Sequence, residues 1–273
     1  MSLSLRNSLR NRLSIALCPS HIAVASSARG WWPRASKPRV STFTPSAGEP
    51  GWRAPVAALS DWLAQETPAS ADVEVIVSDC FARYVLIPWS GSVQKSSELA
   101  AMSRIHFEAL FGTSASGWRI QLDCGDYQKP GIACAIDAAL VDALQELFAL
   151  HGLRRVSLQP HFMHSFNRWR SRIGDDALFV LVESGQCICA SFTGGHWHSI
   201  RTIRLEENRE AALSTLIERE ILLQGLSEKT AVYLHALEPV ATTALRRDFT
   251  VLKASASAAG QLAGVAMLLN AVI

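Results

Sequence analysis

The sequence lacks a strong charge of either sign. Among its 273 residues, 26 lysines and arginines oppose 24 aspartates and glutamates, which gives a formal net charge of +2 at pH 7. Because phosphate contacts are made mainly by Lys and Arg, this balance argues against a nucleic-acid partner. A local excess does exist, since the residues before 54 carry eight basic side chains against one acid, Glu49. Either a solvated basic tail or a segment attracted to an anionic membrane or an acidic partner would explain it.

The sequence also lacks an uninterrupted apolar run of the length that spans a bilayer, about 20 residues. The longest candidate, residues 254–273, is broken by serines and by Gln261 and Asn270, and its small side chains suit packing on a sheet. The start of the chain has no apolar signal-peptide core. With 49% hydrophobic and 18% charged residues, a substantial core is expected. We therefore expect a cytoplasmic protein that reaches a membrane, if at all, through a partner.

Cysteine and histidine are present, but not in the spacing of a metal or redox site. None of the six cysteines forms a CxxC pair, and most lie inside apolar runs, which is typical of buried, reduced thiols. The histidine pairs 161/164 and 196/198 have no Asp or Cys nearby at ligand spacing. We predict no metal site and no catalytic residue.

The clearest pattern lies in residues 178–195, LFVLVESGQCICASFTGG. Two apolar, partly β-branched runs flank the break Glu183-Ser184-Gly185, which predicts a β-hairpin in the middle of a sheet. The run 197–204 alternates apolar and polar residues, as a strand with one covered face does. Helices are predicted at 206–225, 238–247 and 255–273, alternating with strands at 231–235 and 249–252. The order β-β-β-α-β-α-β-α is that of a ribonuclease H-like unit, with a mixed sheet flanked by helices.

The first half repeats this plan. A hairpin at 13–26 turns at Cys18-Pro19-Ser20-His21, and a series of strands and helices follows it. The predicted elements are strands at 39–43, 73–77, 81–87, 118–122, 131–136 and 156–158, and helices at 54–65, 97–111, 137–150 and from Pro160 through Arg172. The predicted organisation is an α/β protein with a basic tail (1–12), a first lobe (13–173) with an insertion around 88–130, and a second lobe (174–273).

One run in the first predicted lobe is Val77-Ser78-Asp79-Cys80-Phe81-Ala82-Arg83-Tyr84-Val85-Leu86-Ile87-Pro88-Trp89. Together with the two predicted lobes and the length of the chain, this run resembles the actin-like proteins PilM of type IV pilus assembly and GspL of type II secretion. The resemblance implies a cytoplasmic scaffold that docks at the inner membrane through a short cytoplasmic peptide of a membrane protein, close to an assembly ATPase. GspL continues into a transmembrane helix and this sequence does not, so PilM is the closer likeness. In that family the inserted subdomain helps to hold the partner, and we expect exposed apolar residues on it.

Active actin-like proteins carry Asp-x-Gly at each hairpin, for phosphate and Mg²⁺. At the matching positions, the first hairpin has Ala16-Leu17-Cys18, which supplies neither the carboxylate nor the glycine, although Ser20 offers a hydroxyl. The second hairpin has Glu183-Ser184-Gly185. The glycine turn expected for adenosine after residue 235 is replaced by Ala-Leu-Glu-Pro. We predict a protein without ATPase activity and without a cofactor, and Ser20, Glu183, Ser184 and Gly185 are its vestigial nucleotide positions.

The segment Asn167–Arg172 places Arg168, Arg170 and Arg172 around Trp169. These four residues are the predicted partner-binding set, because arginine pairs bidentately with carboxylate and phosphate groups. A solvated surface, or pairing with Asp175 and Asp176, explains the same residues without a partner. The function predicted overall is a non-catalytic platform of a pilus or secretion machine. The alternatives are an actin-like ATPase or switch that binds ATP and Mg²⁺, and a sugar- or acetate-kinase-like enzyme of the same fold.

Overall fold

The computed structural model describes residues 11–28, 34–35, 37–45, 48–66, 70–93, 95–183, 185–205, 209–236, 249–252 and 265. Five helices are described: α1 (Arg53–Glu66), α2 (Ser96–Phe111), α3 (Ala138–Leu150), α4 (His161–Trp169) and α5 (Arg209–Leu223). The described strands are β1 (Asn11–Leu17), β2 (His21–Ala28), β3 (Arg34–Ala35), β4 (Arg39–Thr42), β5 (Ala71–Val77), β6 (Ala82–Ile87), β7 (Trp118–Asp123), β8 (Gly131–Asp137), β9 (Arg154–Pro160), β10 (Ala177–Glu183), β11 (Gln186–Thr193), β12 (His196–Arg204), β13 (Ala231–Ala236) and β14 (Thr250–Val251).

The chain divides into two compact units. The first is drawn from Met1–Phe81, Ala138–His164 and Ala254–Ile273, and the second from Ala82–Asp137 and Ser165–Lys253. Sequence reasoning expected contiguous lobes that meet near residue 174. The grouping in the structure differs, because residues 82–137, which include the predicted insertion, associate with the second unit through contacts of β6 with β12.

The main sheets of the two units have the same strand order. In the first unit the order is β3-β2-β1-β5-β9, with β4 also paired to β2, and in the second it is β12-β11-β10-β13-β14. In each, the first strand pairs antiparallel with the second and parallel with the fourth. Both sheets are therefore the mixed sheet of a ribonuclease H-like unit. The predicted α/β fold with two actin-like repeats of this kind is confirmed.

The central strands are apolar on both faces, which explains their position. All seven residues of β10 are buried, as expected for a strand covered on both sides. On one face of it, Leu178, Val180 and Val182 pack with residues of α5 and β13, among them Leu213, Ile217, Val232 and Leu234. The third sheet, β6-β8-β7, forms a separate small core with α2 around Phe107.

Several predicted elements are shifted or lie outside the described residues. The strand β1 includes Asn11 and Arg12, two residues before the predicted start of the first hairpin, because Arg12 pairs its backbone with β2 and β5 and its guanidinium with Glu74. The helix predicted to run through Arg172 ends at Trp169, whose carbonyl accepts hydrogen bonds from the amides of both Arg172 and Ile173. The helices predicted at 238–247 and 255–273 lie outside the described residues, apart from Val265. No helix in the described part of the chain is long and apolar enough to cross a bilayer.

Candidate binding surfaces

The first hairpin, in the first unit, turns without a glycine. The turn between β1 and β2 is closed by the Cys18 amide, which donates to the His21 carbonyl at 3.0 Å. The Cys18 side chain is buried, at the position where an actin-like ATPase needs glycine. Ser20 is exposed, and its hydroxyl lies 3.2 Å from Nδ1 of His21. A hydroxyl is thus available at this turn, without the carboxylate that would organise a metal ion.

The second hairpin, in the second unit, keeps a glycine and an acid. Gly185 has a φ of +76°, in the left-handed region that favours glycine, and it turns the chain from β10 into β11. Glu183 is buried at the end of β10, and Oε2 of its carboxylate accepts a hydrogen bond from Nε2 of Gln186 at 3.4 Å. Ser184 lies outside the described residues. The nucleotide positions predicted from the sequence are therefore divided between the units, Ser20 in one and Glu183 and Gly185 in the other.

A buried acid of the first unit was missed by the sequence reasoning. Asp79 follows β5 in a short 3₁₀ turn and is 1% exposed. Its Oδ2 accepts a hydrogen bond from the Phe162 amide at 2.8 Å, in the first turn of α4. A carboxylate oxygen of Asp79 and a ring nitrogen of His161 lie within 4.8 Å of each other. Asp79 thus caps the N-terminus of α4, although it is distant from that helix in the sequence. The available signal was an acid placed two residues after the end of a buried strand.

The four predicted partner-binding residues lie at the end of α4 and in the turn after it, within the second unit; we call residues 168–172 the arginine turn. The Trp169 ring is 5% exposed. The guanidinium carbons of Arg168 and Arg172 lie 5.3 and 5.1 Å from its centre, so two cations stack on one indole. Arg170 instead donates to the Gly195 carbonyl at 3.0 Å. The structure brings the four residues together, with Arg170 anchored to the hairpin between β11 and β12.

A groove with a volume of about 640 Å³ lies on the first unit. This volume is within the range of about 300–1,000 Å³ typical of ligand sites. Its walls are apolar residues of the loop before α1, of α1 itself and of α3, namely Phe43, Trp52, Val56 and Leu147. Its charged residues are Glu49, Arg53 and Asp61, and the Arg53 guanidinium lies 3.8 Å from the Glu49 carboxylate. We call this the α1 groove; apolar walls with a few charges suit a peptide that offers apolar side chains.

The sequence signal available for this groove is the density of tryptophans near the start of the chain, at positions 31, 32, 52 and 62. Trp31 and Trp32 lie outside the described residues. Three of the eight basic side chains noted in the sequence form ion pairs in the described part of the chain, Arg12 with Glu74, Arg39 with Glu66 and Arg53 with Glu49.

The inserted segment exposes large apolar side chains, as expected. Trp89 is 43% exposed, Ile105 64%, Leu110 65% and Tyr127 77%. Trp89 and Tyr127 meet edge to face, with ring centres 5.2 Å apart, at a pocket of about 170 Å³. This pocket is smaller than those that hold typical small-molecule ligands. At the same loop, His196 Nδ1 lies 3.5 Å from the Asp126 carboxylate, which joins the insertion to β12.

Comparison with known proteins places the fold in a known class. No protein-family model matches the sequence, and no curated protein does. A Bacteroides thetaiotaomicron protein with an actin-like ATPase fold and unknown function superposes with a TM-score of 0.62 at 10% identity, over 98% of this chain and 99% of that one. The chain has an actin-like fold.

Two further structures are similar along most of their length. The PilM–PilN type IV pilus biogenesis complex contains a chain that matches with a TM-score of 0.63 at 13% identity, over 89% of this chain and 88% of that one. The cytoplasmic domain of EpsL, an inner-membrane component of the type II secretion system of Vibrio cholerae, matches with a TM-score of 0.56 at 10% identity, over 96% and 94% of the chains. The resemblance to PilM-like and GspL-like actin-like proteins, predicted from the sequence, is confirmed at the level of the fold.

Proposed function

We propose that this protein is a non-catalytic platform protein of a type IV pilus or type II secretion machine, and that it binds a short cytoplasmic segment of an inner-membrane protein. The observation that carries the proposal is the similarity in fold, along nearly the whole chain, to chains of two such machines. It would work on the cytoplasmic side of the inner membrane, held there by its partner, with an assembly ATPase as a further partner.

The absence of catalysis is supported by the chemistry of the hairpins. Close approach of backbone to phosphate requires glycine, and Mg²⁺ requires carboxylate oxygens. The first hairpin supplies a buried Cys18 and Ala16 instead. The second retains Gly185, but the carboxylate of Glu183 is buried and accepts a hydrogen bond from Gln186. These side chains favour a scaffold over an ATPase or a kinase-like enzyme.

The α1 groove is the surface we assign to the partner segment. A peptide that adds to a protein surface is held by a few apolar anchors in preformed pockets, and tryptophan is enriched among the residues that contribute most. Trp52, Phe43 and Val56 supply such walls, while Asp61 and Arg53 can fix the direction of the peptide by charge. The occupant is therefore a segment with two or three apolar side chains and at least one charged one.

Peptide binding tests this proposal. Labelled synthetic peptides would represent the cytoplasmic segments of single-span inner-membrane proteins from the same genome, and their affinities would be measured by fluorescence anisotropy. We expect one of these segments to bind, and Trp52→Ala to weaken it about tenfold or more, as loss of an aromatic anchor does. Leu222→Ala is the matched control, because it removes an exposed apolar side chain from α5, which lines none of the binding surfaces described above. Equal loss in both variants, or no bound segment, would refute the assignment.

Nucleotide binding separates the proposal from its alternatives. A fluorescent ATP analogue would be titrated with and without Mg²⁺, and phosphate release from ATP would be followed in parallel. We expect neither saturable binding nor release. Binding that requires Mg²⁺ and is lost in Glu183→Gln would instead favour the switch or ATPase alternative, and phosphate transfer to a sugar or acetate would favour the enzyme.

A further inference from the structure

Asp61 is a charged residue of the α1 groove for which the described part of the chain supplies no partner. The charged residues that line the groove are two acids and one base, Glu49, Asp61 and Arg53, which leaves a net charge of −1. Arg53 lies 3.8 Å from the Glu49 carboxylate, and its guanidinium carbon lies 6.0 Å from the centre of the Trp52 ring. Asp61 forms no ion pair and no hydrogen bond through its carboxylate within the described residues. The uncompensated charge of the groove is therefore that of Asp61.

The position of Asp61 on α1 explains why its charge is not compensated. The residues one helical turn away on either side are all uncharged, namely Ala57, Ala58, Ala64 and Gln65. No basic residue lies in the last turn of α1. Arg39, which reaches that end of the helix from β4, pairs with Glu66 instead. An ion pair within α1 is thus not available to Asp61.

These contacts favour a basic ligand over an acidic one. An acidic side chain of a ligand would have to compete with Glu49 for Arg53. A basic side chain can pair with Asp61 without displacing any contact of the protein. Repulsion by Arg53 is weak, because about two turns of α1, or about 12 Å, separate it from Asp61, more than the Debye length of about 8 Å at physiological salt.

We propose that the α1 groove binds an extended segment in which a Lys or Arg pairs with Asp61, and that this segment is the membrane-proximal cytoplasmic part of the partner. The inference rests on the proposed function and names the chemistry of the partner at the same groove. Cytoplasmic segments of inner-membrane proteins carry an excess of Lys and Arg close to the membrane span. Such a segment therefore brings the charge for which the groove holds an uncompensated acid.

The geometry of α1 sets the spacing of side chains within the segment. Trp52 directly precedes α1, and Asp61 lies in the second half of the helix. At a rise of 1.5 Å per residue, the backbones of these two residues are about 13 Å apart. An extended chain covers this distance in about four residues, and a segment this short has little tendency to form a helix by itself. The basic residue should therefore lie about four positions from the apolar residue that contacts Trp52.

The experiment uses two labelled 12-residue model peptides and the purified full chain, with fluorescence anisotropy as the measurement. The first peptide has a serine framework with two leucines and a phenylalanine together, and two lysines four positions further along. The second has glutamates in place of the lysines. We expect the lysine peptide to bind about tenfold more tightly than the glutamate peptide, and Trp52→Ala to weaken it, since both contacts belong to one groove.

Substitutions at Asp61 test the sign of the charge. Asp61→Asn should weaken the lysine peptide about fivefold, which is the upper range for an ion pair that remains partly exposed. Asp61→Lys should reverse the preference, so that the glutamate peptide binds more tightly than the lysine peptide. A reversal of preference cannot result from partial unfolding, which would weaken both peptides, and circular dichroism of each variant checks the fold.

Asp123→Asn and Asp123→Lys are the matched controls, because Asp123 is exposed at the end of β7 in the other unit and the net charge changes equally. They should leave both affinities within about twofold, since distant exposed charges are screened. An equal effect of the Asp123 and Asp61 substitutions would show that overall charge decides binding, and would overturn the proposal. So would absence of binding, glutamate-peptide affinity equal to that of the lysine peptide, or an unchanged preference in Asp61→Lys.

The two proposals fail in different ways. If an inner-membrane segment binds and depends on Trp52, but its affinity is the same in Asp61→Asn and Asp61→Lys, the proposed function holds and the pairing with Asp61 is refuted. If the lysine peptide binds through Asp61 while no inner-membrane segment binds, the groove is a site for basic peptides and the proposed function fails.

Discussion

The cap that Asp79 provides to α4 leads to a quantitative prediction. The residue is 1% exposed and accepts a hydrogen bond from the Phe162 amide across 83 positions of the chain. Replacing it in Asp79→Ala removes the acceptor and leaves a buried amide at a helix N-terminus. It also removes an acidic side chain from the positive end of the helix dipole.

The expected cost follows from these contacts. Hydrogen bonds to charged groups contribute about 1.5–3 kcal/mol, and an unsatisfied buried donor costs about 1–3 kcal/mol. The two figures describe the same loss and are not added, so we expect Asp79→Ala to lower the free energy of unfolding by about 3 kcal/mol. At roughly 2–4 °C per kcal/mol for a chain of this size, the thermal midpoint would fall by roughly 6–12 °C. Asp79→Asn keeps an acceptor oxygen and should cost about 1 kcal/mol.

Urea unfolding followed by circular dichroism and by tryptophan fluorescence measures these values. Using both probes shows whether the two units unfold together, on which the use of a single free energy depends. Asp123→Ala is the control, because that acid is exposed at the end of β7, and it should stay within about 0.5 kcal/mol of the original protein. If Asp79→Ala also stayed within that margin, the capping role would be refuted.

Two further predictions concern the space around the backbone of a glycine and the pH dependence of the free energy of unfolding. A Cβ built on Gly131 would lie 2.5 Å from the Asp123 carbonyl oxygen, whereas one on Gly117 meets nothing within 4 Å. Gly131→Ala should therefore destabilise the β6-β8-β7 sheet, seen as faster amide hydrogen exchange there, while Gly117→Ala should leave exchange unchanged. Burial lowers the pKa of His21 below its ordinary 6.5. As the pH falls below about 6.5, the imidazole of His21 is protonated in the unfolded chain before it is protonated in the folded one. The free energy of unfolding therefore decreases as the pH falls, by at most about 1.4 kcal/mol per pH unit for this group. His21→Gln should reduce the loss measured by urea unfolding between pH 7 and 5.5, and an unchanged pH dependence would contradict this.

The predicted nucleotide and partner residues show which features of a site can be inferred from adjacent residues in the sequence. The turns at Ser20 and Gly185 were predictable, because a hairpin is specified by a few adjacent residues. The clustering of Arg168, Trp169, Arg170 and Arg172 was likewise visible from adjacency alone. Two hydrogen bonds could not be predicted: the one that Arg170 donates to the Gly195 carbonyl, and the one that Asp176 accepts from the Gly194 amide. Both depend on how the end of α4 packs against the hairpin between β11 and β12.

The sequence by itself determined the fold class, because strand and helix periods, hairpin turns and their order are local properties that recur in both halves. Only the tertiary structure decided which acid compensates which base, as for Arg12 with Glu74 and Arg39 with Glu66. It also decided that residues 82–137 group with the second unit. The cap on α4 by Asp79 is of the same kind. In each case the interacting groups are brought together by the packing of whole helices and strands. The residues adjacent to each group in the sequence do not specify which distant element packs against it.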